Sequence, residues 1–207
     1  MFDGIMDINH NDDIDLTAAA NAGIVAVIHK ATEGATFQDP LYATRRTQAS
    51  QLGLRWGAYH FGTAADVTEQ FQNFVQTAQL ASGDLAALDY ETNAGNQMSL
   101  EQAEQFVTMF QQQFGYLPLI YGSSLLTSAA QTNPSSPLGT CRLWIAEYSN
   151  VTQPTLPSLF SSYVLWQFTD GTVPTSLETA GVAVDRDRYN GTREELLAVW
   201  PFAHSAG

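Results

Sequence analysis

The sequence predicts an α/β barrel of about eight strands with fewer helices than a full barrel carries. Three observations point there. Eight apolar runs of strand length are spread through 207 residues, helix-period segments separate several of them, and carboxylates close the first, fourth and last runs. Alternating strands and helices imply parallel strands joined by helical crossovers. A chain of this length buries one sizeable core without help from disulfides or structural metals.

Taken in order, Gly4–Asn9 is the first strand, and Leu16 to Ala22 is a short helix stopped by Gly23. Ile24–Ala31 is the second strand, with Glu33-Gly34 as a tight turn after it. Pro40 to Leu52 forms a helix closed by Gly53 and leads into Leu54–Gly62, the third strand. Phe71, Phe74, Val75 and Ala78 then recur at helical spacing, and Asp66 stands three residues before Glu69 as a capping box. Leu85–Glu91 is the fourth strand. The stripe Leu100, Ala103, Val107, Phe110, Phe114 follows, capped by Ser99 with Gln102 and ended by Gly115. Leu117–Tyr121 is the fifth strand. Beyond about residue 130 the regularity weakens, and Gln131–Gly139, with Pro134 and Pro137, reads as a loop. Leu143–Tyr148, Tyr163–Thr169 and Val182–Asp185 are the last strands, joined by loops more than by helices, and Thr192–Trp200 is a final helix. No linker interrupts the pattern, so residues 1–207 are read as a single domain.

Composition removes several functional classes. Acids outnumber bases 21 to 8, for a net charge of −13, and Lys30 is the sole lysine. Proteins that read nucleic-acid backbones cover phosphate with Lys and Arg, so nucleic acid is excluded as a partner, as is docking on anionic lipid through basic residues. No apolar run nears the roughly 18 residues of a membrane span, so no membrane insertion is expected. The N-terminus carries neither a basic region nor an apolar signal segment. Cys141 stands alone, which excludes an intrachain disulfide and a cysteine-based zinc site. His10, His29, His60 and His204 show no ligand spacing, and no metal or cofactor is expected. An uncharged glycan suits this surface better than a polyanion.

The carboxylates are the informative feature. In an α/β barrel the active site lies at the C-terminal ends of the strands. Asp7 closes the first strand, Asp89 and Glu91 the fourth, and Asp185 the last. Asp89 and Glu91 are two apart and so point the same way on a strand. First and last strands of a closed barrel are neighbours, which sets Asp7 beside Asp185 and opposite the other pair. Like charges in one pocket raise at least one pKa, the arrangement for general acid catalysis at a glycosidic oxygen. Rings at strand ends offer faces for sugar stacking: Tyr59, Tyr121, Tyr148 and Trp166, with His60 as a hydrogen-bonding neighbour.

These residues fall within segments that resemble the lysozymes of glycoside hydrolase family 25. The segments are Gly-Ile-Met-Asp-Ile-Asn; His-Lys-Ala-Thr-Glu-Gly-Ala-Thr-Phe-Gln-Asp-Pro; Gly-Leu-Arg-Trp-Gly-Ala-Tyr-His-Phe; Leu-Asp-Tyr-Glu; Leu-Ile-Tyr-Gly; Leu-Trp-Ile-Ala-Glu-Tyr; Trp-Gln-Phe-Thr; and Val-Asp-Arg-Asp-Arg-Tyr-Asn-Gly. They run in family order from residue 4 to residue 191. The resemblance implies a TIM-like (β/α) barrel with a reduced helix set. It implies cleavage of the β-1,4 bond between N-acetylmuramic acid and N-acetylglucosamine in the glycan strands of peptidoglycan, a target outside the cytoplasm. By the same likeness Glu91 corresponds to the general acid, Asp7, Asp89 and Asp185 to supporting carboxylates, and Tyr59, Tyr121 and Trp166 to sugar-contacting positions.

The chain departs from the family pattern at Asn9, where a serine is usual, and in the short segment after it, which lacks a tryptophan. It departs again at Arg186-Asp187, where Leu-Asn is usual. Asp187 is expected to pair with an arginine rather than join the site. Two rival readings remain at this stage: a hydrolase of another N-acetylated glycan such as chitin, and a catalytically inactive glycan-binding protein on the same fold. A monomer is expected.

Overall fold

The computed structural model describes residues 1–148, 151–171 and 184–203; Val182, Ala183 and His204 lie outside them. In chain order the elements are β1 (Phe2–Ile8), α1 (Leu16–Asn21), β2 (Ala26–Glu33), β3 (Phe37–Gln38), α2 (Tyr42–Gln51), β4 (Arg55–Phe61), α3 (Val67–Ala78), β5 (Leu85–Asp89), α4 (Leu100–Phe114), β6 (Leu119–Gly122), α5 (Ser124–Thr132), β7 (Arg142–Ala146), β8 (Leu165–Thr169), β9 (Asp185–Tyr189) and α6 (Arg193–Val199). Eight strands close a barrel in the order β1-β9-β8-β7-β6-β5-β4-β2, with β2 returning to β1. The two-residue β3 adds an antiparallel edge to β2.

Alternation along each strand separates two apolar layers. Ile5, Ile28, Leu85, Ala87, Leu119 and Leu165 fill the barrel interior, and Leu196, Trp200 and Phe202 join that cluster from α6 and the residues after it. Met6, Val27, Ala58, Leu88, Ile120 and Ile145 face outward and pack with Phe74, Phe106 and Phe110 of the helices. Helix ends follow local chemistry. Ser99 with Gln102, and Thr192 with Glu195, form reciprocal capping boxes on α4 and α6. Asp66 caps α3 by accepting from the Thr68 and Glu69 amides.

Three expectations need correction. First, α5 occupies Ser124–Thr132, so the loop read at Gln131–Gly139 begins two residues inside a helix and ends in a 3₁₀ turn at Pro137–Thr140. Its buried stripe is only Leu126, Ala129 and Ala130, too little apolar volume to stand out among serines and threonines. Second, the last described strand is Asp185–Tyr189, so Asp185 opens it instead of closing it. Third, that strand runs antiparallel to both neighbours. Reversal explains why Asp185 still reaches the mouth: the start of β9 lies level with the ends of β1 and β8. The run Asp-Arg-Asp-Arg-Tyr carries no hydrophobic alternation. Its outward residues are cations satisfied locally, Arg186 donating to the Ile5 and Asp3 carbonyls and Arg188 lying 3.8 Å over the Phe168 ring.

Candidate active site

Strand parity brings the four expected carboxylates to one end of the barrel. Asp7 of β1 is the direct register partner of Asp185 on β9. Asp89 ends β5 between Phe61 of β4 and Tyr121 of β6. Glu91 lies two residues beyond, half-buried. Tightness at this exit depends on Gly122: a Cβ there would sit 2.4 Å from the Tyr90 carbonyl oxygen, and the Tyr90 amide donates to the Tyr121 carbonyl. A side chain at position 122 would therefore displace the segment that carries Asp89 and Glu91.

The centre of the site is a residue that sequence reasoning quoted but did not select. Gln167 of β8 donates from Nε2 to both oxygens of Asp7, at 2.9 and 2.8 Å, and to Asp185 Oδ2 at 3.3 Å. Its Oε1 accepts from the Tyr121 hydroxyl at 2.7 Å and from the Tyr148 hydroxyl. All four hydrogen-bonding positions of the amide are thereby used. Two tyrosine donors on one side and two carboxylates on the other also fix which way the amide points. Period 2 in Trp-Gln-Phe-Thr was the available signal, because an outward Trp166 requires an inward Gln167.

Asp187 is a correction. It does not turn to an arginine; it faces inward, fully buried, and accepts from Trp144 Nε1 at 2.6 Å beside Asp7. The expected ring contacts divide. Tyr59 and Tyr121 face the interior, each packed edge-on to Trp144. Tyr148 stands at the rim, 47% exposed. Trp166 and His60 point the other way. Trp166 is buried in the outer layer against Phe168 and Arg188 and donates to the Glu147 carbonyl at 2.9 Å. His60 stacks on Phe106 at 5.0 Å and is held by Thr32 at 2.7 Å and Gln70 at 3.2 Å. Neither can touch a ligand in the mouth, since strand alternation turns each toward the helices. Replacing His60 with alanine is accordingly expected to lower stability by about 2–4 kcal/mol through a cavity and two orphaned polar groups. It should leave turnover intact below the lowered melting point; a loss of kcat without a loss of stability would return His60 to the site.

Burial and mutual repulsion govern the electrostatics. Asp7 is pushed well above the carboxylate range by burial, then by Asp187 and Asp185, with the Gln167 bond pulling it back. Burial and then Glu91 do the same to Asp89, one oxygen of which is buried without a hydrogen-bond partner. Burial, then neighbouring acids, raises Asp185 to about 7. Burial also raises Glu91, while Lys30 draws it down. Lys30 lies 4.7 Å over the Phe61 ring and pairs with Glu33 at 3.0 Å. Among the described residues no three His, Cys, Asp or Glu side chains are grouped to hold a metal ion.

These shifts predict a stability profile with opposed limbs. Carboxyls raised in the folded state stabilise it fully below their unfolded values near 4 and lose that contribution as pH rises through about 7, where Asp185 and Asp187 ionise. Burial lowers His29 and His60 to about 4, so their contribution is full above the unfolded value near 6.5 and is lost as pH falls toward 4. Four carboxyls raised by burial outweigh two histidines lowered, so the melting temperature is expected to fall as pH rises from about 5 to about 8. A curve that rises steadily through neutrality would contradict the shifts.

A barrel with carboxylates ringing one mouth and tyrosines beside them has the layout of a glycoside hydrolase. Residues 6–176 match the family Glycosyl hydrolases family 25, and the chain belongs to that family. The autolytic lysozyme of Clostridium acetobutylicum is 31% identical over 158 residues, covering 76% of this chain and 47% of that protein. Lysozyme M1 of Streptomyces globisporus is 26% identical over 211 residues, covering 94% of this chain and 70% of that one. This chain thus spans about half the length of the clostridial relative. Among solved structures, the muramidase from Trichobolus zukalii superposes with a TM-score of 0.78 at 27% identity, covering 94% of this chain and 97% of its own. The muramidase from Acremonium alcalophilum gives 0.74 at 28% identity, with 94% and 96% covered. The closed barrel agrees with the architecture expected from the sequence. Asp185 and Asp187 lie beyond the matched residues, and it is strand pairing that brings them to the site.

Proposed function

We propose that this protein is a muramidase that hydrolyses the β-1,4 bond between N-acetylmuramic acid and N-acetylglucosamine in peptidoglycan. Glu91 is the general acid in this reading. Its carboxyl is raised by burial, which favours the protonated form, and it remains half-exposed, which leaves it open to the leaving oxygen. Asp7, Asp89 and Asp185 stabilise positive charge at the anomeric carbon or orient the group that attacks it. Tyr59, Tyr121 and Tyr148 line the approach. The observation that carries the reading is the gathering of Asp7, Asp89, Glu91 and Asp185 at one mouth, every one raised above its ordinary value.

Clearing of a purified peptidoglycan suspension tests the activity. Its salt response tests the electrostatics. With a net charge of −13 the protein gains no attraction to an anionic wall, so moderate salt is expected to leave the rate unchanged or raise it by screening repulsion. A steep fall in rate between low and moderate salt would show binding through a basic face. A groove of about 610 Å³, lined by Lys30, Glu33, Phe37, Thr63 and Asn96 near the end of β2, is a second open space a glycan strand could reach.

A further inference from the structure

Resting on the muramidase reading above, we propose that Asp187 is a positioning residue for Asp7: the two carboxyls share one proton, and Asp187 acts in that pair as an ionisable counterpart of an amide. Asp187 sits in register between Ile5 of β1 and Gln167 of β8 and is closed off from solvent. Its Oδ1 accepts from the Trp144 indole at 2.6 Å, and an indole N–H can only donate, so Oδ1 is committed as an acceptor. Its Oδ2 is buried with no donor in reach. The side chain beside it is Asp7, one inward step along β1 from Ile5 and bonded to Gln167, the residue that pairs with Asp187 on the other side.

Two ionised carboxylates offer each other only acceptors. One proton between them supplies the donor that Oδ2 lacks and removes one of two adjacent buried charges. Other groups around the pair do not supply that compensation. From β9 itself come Asp185, a further acid, and Arg186, whose guanidinium is turned outward to the Ile5 and Asp3 carbonyls and draws Asp187 down only weakly. Gln167 from β8 and Trp144 from β7 are neutral. Tyr121 from β6 and Tyr59 from β4 are phenols kept protonated by burial and by the acids. Asp89 and Glu91, at the end of β5, add negative charge across the mouth. Asp7 already receives Gln167 on both oxygens, so a proton shared with Asp187 completes its surroundings. Loss of that proton at higher pH leaves two like charges side by side and loosens Asp7.

Asp187→Asn separates this from a purely structural role. Asparagine keeps an oxygen for Trp144 and presents an N–H to Asp7 at every pH. The ratio of kcat/KM on peptidoglycan at about pH 8 to that at about pH 5 is expected to rise about tenfold in the variant relative to the parent, the size of a one-unit displacement of the alkaline limb. A second readout needs no activity: the parent's melting temperature should fall more between those pH values than the variant's, leaving the variant more stable at about pH 8. An Asp187 that is ionised and held by Arg186 gives the opposite sign, a variant less stable at alkaline pH with an activity profile of unchanged shape, and either result overturns the proposal. If neither protein cuts peptidoglycan at any pH, the muramidase reading fails, and the melting comparison still decides whether the acids share a proton.

Discussion

Replacing Glu91 with glutamine is expected to lower kcat on peptidoglycan by about 10²- to 10⁴-fold, with the upper end favoured by a poor alkoxide leaving group. Glutamine matches the size and keeps a hydrogen-bonding head but has no acidic proton. Fold and glycan binding should therefore survive, and the melting temperature should change little or rise slightly, because a buried acid with a raised pKa has been removed. Glu101→Gln, on the exposed first turn of α4, is the matched control and should behave as the parent. Retention of most of the rate by the Glu91 variant would move the acid to Asp89, which burial also raises and one buried oxygen of which has no hydrogen-bond partner.

Gln167→Leu should produce the second-largest loss. Leucine fills the volume but withdraws the donors to Asp7 and Asp185 and the acceptor for Tyr121 and Tyr148. A hydrogen bond to a charged group contributes about 1.5–3 kcal/mol, so losing the bond that aligns Asp7 predicts a drop of about 10- to 150-fold in kcat/KM. The pH profile should change as well, since Asp7 loses its one lowering interaction, the Gln167 bond, and rises further. A variant with parental kinetics would show that the acids keep their geometry without this residue.

How far the sequence reveals such a site depends on what each residue faces. The parallel part of the barrel was legible because its strands are apolar runs bounded by glycines, and α3 and α4 because wide stripes of phenylalanine sit beneath strong caps. Asp7, Asp89 and Glu91 were legible as acids at the ends of such runs. What stayed hidden had its driving force elsewhere. β9 is charged at four of its five positions, and what holds it is carbonyls, rings and the Trp144 indole bond instead of apolar alternation. Gln167 carries no catalytic chemistry of its own, and its importance lies in partners 160 residues away along the chain. Aromatic identity does not reveal the direction of Trp166 and His60: a tryptophan and a histidine at strand ends face a ligand or the helices according to a single step in register.

The most direct test of the account is the chemistry of the cut. Purified peptidoglycan digested by the protein, with products reduced and identified by mass spectrometry, should yield fragments ending in reduced N-acetylmuramic acid. That end group marks hydrolysis on the muramic acid side of the β-1,4 bond, and it should vanish with Glu91→Gln. Fragments ending in N-acetylglucosamine, or faster cleavage of chitin oligomers than of peptidoglycan, would contradict the assigned bond. Binding of the glycan with no new reducing ends would show a barrel that holds its ligand without cutting it.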